Sequence, residues 1–160
     1  EGTNRGVEMD VKWIVNDNFN INANAGWLDA EFDEFINEFG EDLSGRDQAQ
    51  EPSYTFSLNF NYQQGPWFAS VSADGKDNFF FSDRHSIKSK RYTLYNASLG
   101  FESGQWKVTL WGRNLTDKDY YVRGFGSFGN DPRNFYVTEP YFQYGEPRVT
   151  GVTLQLTMGG

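Results

Sequence analysis

The side chains suited to chemistry fall in three clusters. The single histidine, His85, follows Arg84 and a run of rings, Phe79-Phe80-Phe81. Carboxylates crowd residues 29–42, at Asp29, Glu31, Asp33, Glu34, Glu38, Glu41 and Asp42. A Gly-rich stretch, 124–129, reads G-x-G-x-x-G and opens a ring-rich segment that runs to residue 145. Each cluster has a chemical reading and a plain one. A dinucleotide site needs a strand before the glycines and a helix opening after them. Here the glycines lead into Asn130-Asp131-Pro132-Arg133, without helical periodicity, so the stretch reads as a surface loop. The carboxylates could gather a calcium ion, which takes six to eight oxygens, but they lack EF-hand spacing. They read as an acidic loop under water. His85 reads as a solvated loop residue. One His and no Cys exclude a disulfide scaffold and a thiolate metal site, and leave little material for catalysis. No enzyme, cofactor or metal is expected.

The ring-rich segment is the better functional candidate. Phe125, Phe128, Phe135, Tyr136 and Tyr141 offer large contact area at low entropic cost, and Arg133 can pair with an anionic group. Phe80, Arg84 and His85 sit at the neighbouring rim. Contact with a ligand is one reading of these residues; packing between loops or against a sugar-rich surface is the other.

The elements that must carry these clusters are strands. Apolar residues alternate with polar ones almost throughout. The expected strands are 4–15, 19–32, 53–62, 67–81, 91–102, a sixth from Trp106, and 146–158. In the third, Tyr54, Phe56, Leu58, Phe60 and Tyr62 oppose Thr55, Ser57, Asn59 and Asn61. Short turns are expected near 17, 65 and 104. Long loops are expected at 31–51, with a short helical turn at 34–39, and at 82–90 and 124–145. Asn20, Asn22 and Asn24 share one face, which suits a wet lumen and not a dry core.

Totals narrow the class. The chain has 160 residues, a net charge of -8, 18% aromatic and only 38% hydrophobic residues, a balance poor in aliphatic core for a water-soluble domain. The acidic balance argues against nucleic acid. No apolar run approaches a membrane helix. Spans of about ten alternating residues, short turns on one side and long loops on the other define an outer-membrane barrel wall. The expected fold is all-β, an antiparallel up-and-down transmembrane β-barrel section of about seven strands. Such barrels have at least eight, so further strands are expected upstream, and the chain reads as a piece of a longer one. Trp13, Trp27, Trp67 and Trp106 lie at strand ends, as an interfacial girdle would. The formal sequons at Asn96 and Asn114 fall on predicted strands and are discounted.

The order of short motifs resembles the TonB-dependent receptors of Gram-negative outer membranes. Asn4-Arg5-Gly6-Val7-Glu8 is similar to that family's "RG-x-E", and Gly26-Trp27-Leu28-Asp29-Ala30-Glu31-Phe32 to its "G-Y/W-x-D-A-x-F". Leu43-Ser44-Gly45 with Pro52 resembles "L-x-G-x(n)-P", and Tyr92-Thr93-Leu94-Tyr95-Asn96-Ala97 resembles "Y-x-x-x-N-A". Trp106–Tyr121 runs an alternating strand into Asn114-Leu115-Thr116-Asp117-Lys118-Asp119-Tyr120, similar to "NL-x-D/N-x-x-Y", and Gly145-Glu146-Pro147-Arg148 completes the set. The resemblance spans nearly the whole chain. It implies a 22-stranded barrel plugged by an N-terminal domain, neither plug nor TonB box being in residues 1–160. It implies a scarce nutrient, often a ferric siderophore, bound by plug and extracellular loops and admitted through the inner-membrane TonB complex. Such a siderophore brings its own iron ligands. Outer-membrane lipid and lipopolysaccharide are the implied surroundings, the latter bridged by divalent ions to the acidic loop. One departure is that the chain closes on Leu156-Thr157-Met158-Gly159-Gly160, without the family's terminal aromatic. Alternatives are a passive porin-like or usher-type barrel, and a soluble ligand-binding β-barrel, sandwich or adhesin.

Overall fold

The computed structural model describes residues 1–125, 132–137 and 139–158. Strands β1 (Gly2–Asn16), β2 (Phe19–Phe32), β3 (Tyr54–Gln64), β4 (Trp67–Lys76), β5 (Tyr92–Ser103) and β6 (Trp106–Arg113) follow one another as antiparallel neighbours. A hairpin of β7 (Tyr121–Phe125) and β8 (Tyr141–Tyr144) stands apart from them, and β9 (Val149–Leu156) returns beside β6. The main sheet thus has seven strands in the order β1-β2-β3-β4-β5-β6-β9, with β1 and β9 at its open edges.

Cross-strand register converts the alternation of each strand into two continuous faces. Trp13, Ile21, Phe60, Val71, Ala97, Gly112 and Thr150 are consecutive partners across all seven strands. One residue along, the row reads Lys12, Asn22, Asn59, Ser72, Asn96. The apolar face lies open: Val71 is 49% exposed, Leu110 56% and Val152 65%. The buried hydrophobic residues among those described are Ala30, Leu43, Phe79 and Phe81, at or beyond the long-loop ends of the strands. No second layer covers the apolar face among the described residues, so this sheet is not half of a sandwich, whose inner faces must bury one another. An exposed apolar face opposite a polar one is what a barrel wall in lipid requires.

The polar face is tied together by side chains. The Asp74 carboxylate accepts hydrogen bonds from Ser57 Oγ (2.7 Å), Ser72 Oγ (3.0 Å) and Asn96 Nδ2 (3.0 Å). Asn20 Oδ1 accepts from Asn22 and Asn61, each at 3.2 Å. Two of the short connections need a left-handed residue, supplied by Gly65 (φ 54) and Gly104 (φ 59). The turn at 17–18 is instead held by Asn18 N donating to Asn16 Oδ1 at 2.9 Å.

The strand bounds match expectation to within three residues, the last strand starting at Val149 rather than 146, with three larger corrections. The fourth ends at Lys76, not near residue 81, because Phe79 and Phe81 turn inward among the loops and are almost fully buried. The stretch 34–39 forms no helical turn. Asn37 Oδ1 accepts from Phe39 N and Glu41 N, both at 3.0 Å, and Gly40 at φ 81 reverses the chain; an Asn that captures nearby amides competes with a helix. The segment 124–145 is not wholly irregular: β7 and β8 pair Tyr121 with Tyr144 and Phe125 with Tyr141, and a 3-10 turn covers Pro132–Asn134. Strands of four or five residues are too short to show a period.

The loop ends are clasped at Asn114, which is buried and left-handed (φ 46), a conformation Asn tolerates. Its amide donates to Asn96 Oδ1 (3.0 Å), its Nδ2 to the carbonyls of Lys118 (2.9 Å) and Glu146 (3.0 Å), and its Oδ1 accepts from Lys118 N (2.8 Å). Asp117 accepts from Arg148 N at 2.9 Å, and Arg113 pairs with Glu146 at 2.8 Å. The exit of β6 is thereby bound to the approach of β9.

Asn114→Ala removes three side-chain hydrogen bonds worth about 1 kcal/mol each and strains a left-handed residue, so it destabilises by about 3 kcal/mol. Val71→Arg destabilises by about 2–4 kcal/mol, whereas Ser70→Arg on the opposite face costs under about 1 kcal/mol. Urea unfolding of the protein in phospholipid vesicles measures all three; equal effects at positions 70 and 71 would refute the assignment of faces.

Candidate functional site

The three long connections fold onto one another at the same end of the sheet. Arg46, from the first, is the principal tie. Its guanidinium stacks 3.8 Å from the Phe80 ring centroid and donates to the carbonyls of Ser82 and His85 (the latter at 3.1 Å). Burial pushes its pKa down from the ordinary arginine value, with Asp83, Glu41 and Asp47 acting in the opposite sense. Lys88 also lies over Phe80, at 4.0 Å, and pairs with Asp47 at 3.2 Å. Gln50 reaches all three connections: its Nε2 donates to Phe81 O (2.7 Å) and Gly124 O (2.9 Å), and its amide to Phe80 O (2.8 Å). Phe81 packs 5.5 Å from Phe79, 5.9 Å from Tyr121 and 4.9 Å from Phe142. The result is a folded cap with its own small core.

The expected site residues divide accordingly. Phe80 is half-buried beneath Arg46 and Lys88. Arg84 pairs with Glu38 at 2.8 Å. The half-buried ring of His85 lies 3.4 Å from Phe125 O, and its Nδ1 accepts from Ile87 N at 3.3 Å. These residues, with Phe125 behind them, build the cap. The exposed group comprises Arg133, Phe135, Tyr136 and Tyr141; Phe135 is 90% and Tyr136 63% exposed, both at left-handed φ near 60°. Phe128 lies outside the described residues. The acidic cluster is dispersed. Asp33 accepts from Thr3 (2.8 Å), Glu38 pairs with Arg84, Glu41 accepts from Asn37 (2.9 Å), and Asp42 is held by Ser44, whose hydrogen bonds lower its pKa.

Two features have no clear signal in the sequence. Arg123 is exposed on the hairpin, 4.7 Å over the Phe125 ring. Tyr121 and Tyr144 join hydroxyls at 3.2 Å across β7 and β8, which raises the Tyr144 pKa. Alternation within Tyr121–Phe125 is the one available sign, hidden by the shortness of the strand. Chemically, the cap can hold an amphiphilic or anionic molecule against rings and guanidinium groups above a polar-lined wall.

Fold and site together define a section of a membrane β-barrel wall with a folded cap of loops. Residues 1–115 match the family model "TonB dependent receptor-like, beta-barrel", so the chain belongs to that family. The ferric-pyoverdine M114 receptor PbuA of Pseudomonas sp. (strain M114) is 40% identical over an alignment of 89 residues, with 52% of this chain and 10% of that receptor covered. The siderophore receptor PiuA of Acinetobacter baumannii superposes over 96% of this chain and 21% of its own, with a TM-score of 0.75 and 18% identity. The ferric yersiniabactin uptake receptor FyuA of Yersinia pestis covers 97% of this chain and 23% of its own, with a TM-score of 0.76 and 16% identity. These structural likenesses carry the fold. The chain spans about a tenth of the length of the curated relative and less than a quarter of either structure.

Gln50→Ala frees the Phe81 and Gly124 carbonyls and weakens the cap by about 1.5 kcal/mol. Hydrogen exchange then quickens about tenfold at the amides of Phe81 and Ser89, which bond Ile87 O and Phe79 O, while β3 amides are unchanged. Exchange that accelerates equally throughout would show that Gln50 supports the sheet instead.

Proposed function

We propose that this chain is the C-terminal part of the barrel of an outer-membrane receptor for energised uptake of a scarce nutrient, a ferric siderophore. The observation that carries the reading is the family match over residues 1–115, joined to 40% identity with a protein named as a ferric-pyoverdine receptor. In this reading the short turns face the periplasm and the folded cap faces outside. The polar face lines the lumen, where the N-terminal plug sits, and the earlier strands of the same protein close the barrel. The inner-membrane TonB complex engages the N-terminal part. Arg123, Arg133, Phe135, Tyr136 and Tyr141 contact the ligand, and Phe80, Arg84 and His85 hold the surface in place. The exposure of Phe135 and Tyr136 supports this division, since exposed rings cost free energy in water and suit a recognition surface. The activity is binding and transport rather than catalysis.

The test uses the full-length receptor in cells stripped of other siderophore receptors. Ferric pyoverdine labelled with radioactive iron accumulates, and accumulation stops when the proton gradient is collapsed. Phe135→Ala and Tyr136→Ala each raise the Kd about tenfold, the effect of removing a central aromatic contact, whereas Arg84→Ala has a smaller effect. Uptake that continues without the gradient would establish a passive channel instead.

A further inference from the structure

The chain has 9 tyrosines. Among the described residues one pair of them meets hydroxyl to hydroxyl, Tyr121 and Tyr144, 3.2 Å apart. The two are direct cross-strand partners at the root of the β7–β8 hairpin, so their rings stand on one face. The ring centroids lie 4.7 Å apart, with the planes at 46°. Tyr121 is wedged against Phe81 at 5.9 Å and Phe142 at 5.0 Å, which fixes its ring. Tyr144 is 63% exposed, which leaves the pair open to a reagent in water. Other tyrosines lack this combination. Tyr92 and Tyr120 lie as close, at 4.6 Å, but both are half-buried and no hydrogen bond joins their hydroxyls. Tyr141 directs its hydroxyl to Glu139, at 3.4 Å.

The chemistry open to two touching phenols is oxidative coupling. A phenol that gives up one electron and one proton becomes a phenoxyl radical, with spin on the oxygen and on the ring carbons beside the hydroxyl-bearing carbon. Two such radicals form a carbon–carbon bond between those ortho positions, and each ring then returns its displaced hydrogen to its own oxygen. The pair loses two electrons and two protons in all. One hydrogen peroxide, acting through a haem peroxidase, takes them and leaves as two waters. Holding both phenols in place replaces a chance encounter of radicals with an intramolecular step.

We propose that Tyr121 and Tyr144 form an oxidative modification site, at which peroxide chemistry joins β7 to β8 by one ring-to-ring bond. The bond closes residues 122–143 into a covalent loop, which includes Phe135 and Tyr136. As a disulfide does, it removes open conformations of the segment it closes. The root of the largest connection is thereby fixed when peroxide is present. The site needs only the hairpin and does not depend on the nutrient assignment.

The test treats the full-length receptor in detergent with horseradish peroxidase and hydrogen peroxide. One link forms per receptor, read as the loss of two hydrogen atoms from the intact mass, and peptide fragmentation places it between Tyr121 and Tyr144. Amides of the β7–β8 hairpin then exchange about tenfold more slowly than in the unlinked receptor. Tyr144→Phe keeps the ring but lowers the yield about tenfold, because the held pair of phenols is gone. A link between Tyr92 and Tyr120 instead, a link between two receptors, or no link once the peroxide is consumed overturns the proposal. An undiminished yield in the Tyr144 variant also overturns it. Mapping the bond in the unsubstituted receptor decides the matter even where the variant fails to fold.

Discussion

Inside a bilayer no water is available to an unpaired amide, and each such group costs several kcal/mol. The rest of this structure depends on that constraint. It forces the backbone into a continuous antiparallel ladder, and the ladder forces parity on every side chain. A slip of one residue would turn the asparagines to lipid and the rings to the lumen. The register is correspondingly regular from β2 to β9, and the shift between Ile14 and Asn16 lies at the very end of β1, beside a turn. Two glycines within the ladder are covered by rings from the adjacent strand, Gly75 by Phe56 on one face and Gly100 by Phe68 on the other. The strand pairs therefore lose little packing where a side chain is missing.

Beyond the strands the constraint reverses. Water can satisfy the backbone there, so a long loop needs no ladder, and order must come from side chains. The cap obtains it by dividing its aromatic residues. Phe79, Phe81, Tyr121 and Phe142 pack together, while Phe135 and Tyr136 project. Arg46 and Gln50 join the connections by donating to carbonyls of the other two, which leaves the exposed rings on a supported base. A recognition surface gains from such support, because residues ordered before binding lose less entropy on contact.

The wall is legible in the sequence because a period of two needs only local information. Tyr54 to Tyr62 announces its faces without knowledge of any partner. Trp67, Ala69, Val71 and Ala73 do the same, yet their alternation gives no sign of stopping before Phe79-Phe80-Phe81. A run of rings has no period, and whether each is buried depends on Gln50, Arg46 and Phe142, up to 61 residues away in sequence. The same limit hides Arg123 and the pairing of β7 with β8. Within the candidate site, residue types single out the ring-rich loops, but not which of their rings are spent on packing. The helical turn expected at 34–39 fails for a local reason: a single Asn carbonyl outcompetes the helix for two amides.

The Asn-Leu-Thr-Asp stretch shows how one residue type serves both regimes. Asparagines on the polar face bond sideways to neighbouring strands, as water-lined positions permit. Asn114 continues that network past the end of the ladder. From Ser57 on β3 the hydrogen bonds run to Asp74 on β4, to Asn96 on β5, to Asn114 at the exit of β6, and on to the Glu146 carbonyl before β9. The path crosses four strands and ends where the largest connection closes. Its position explains why Asn stands at 114. Asp would offer no donor for the Lys118 and Glu146 carbonyls, and Gly would accept the left-handed turn while leaving Lys118 N without its acceptor. The loop base is therefore tied to the wall beneath it by one continuous run of hydrogen bonds, from the polar face at Asp74 to the root of the largest connection.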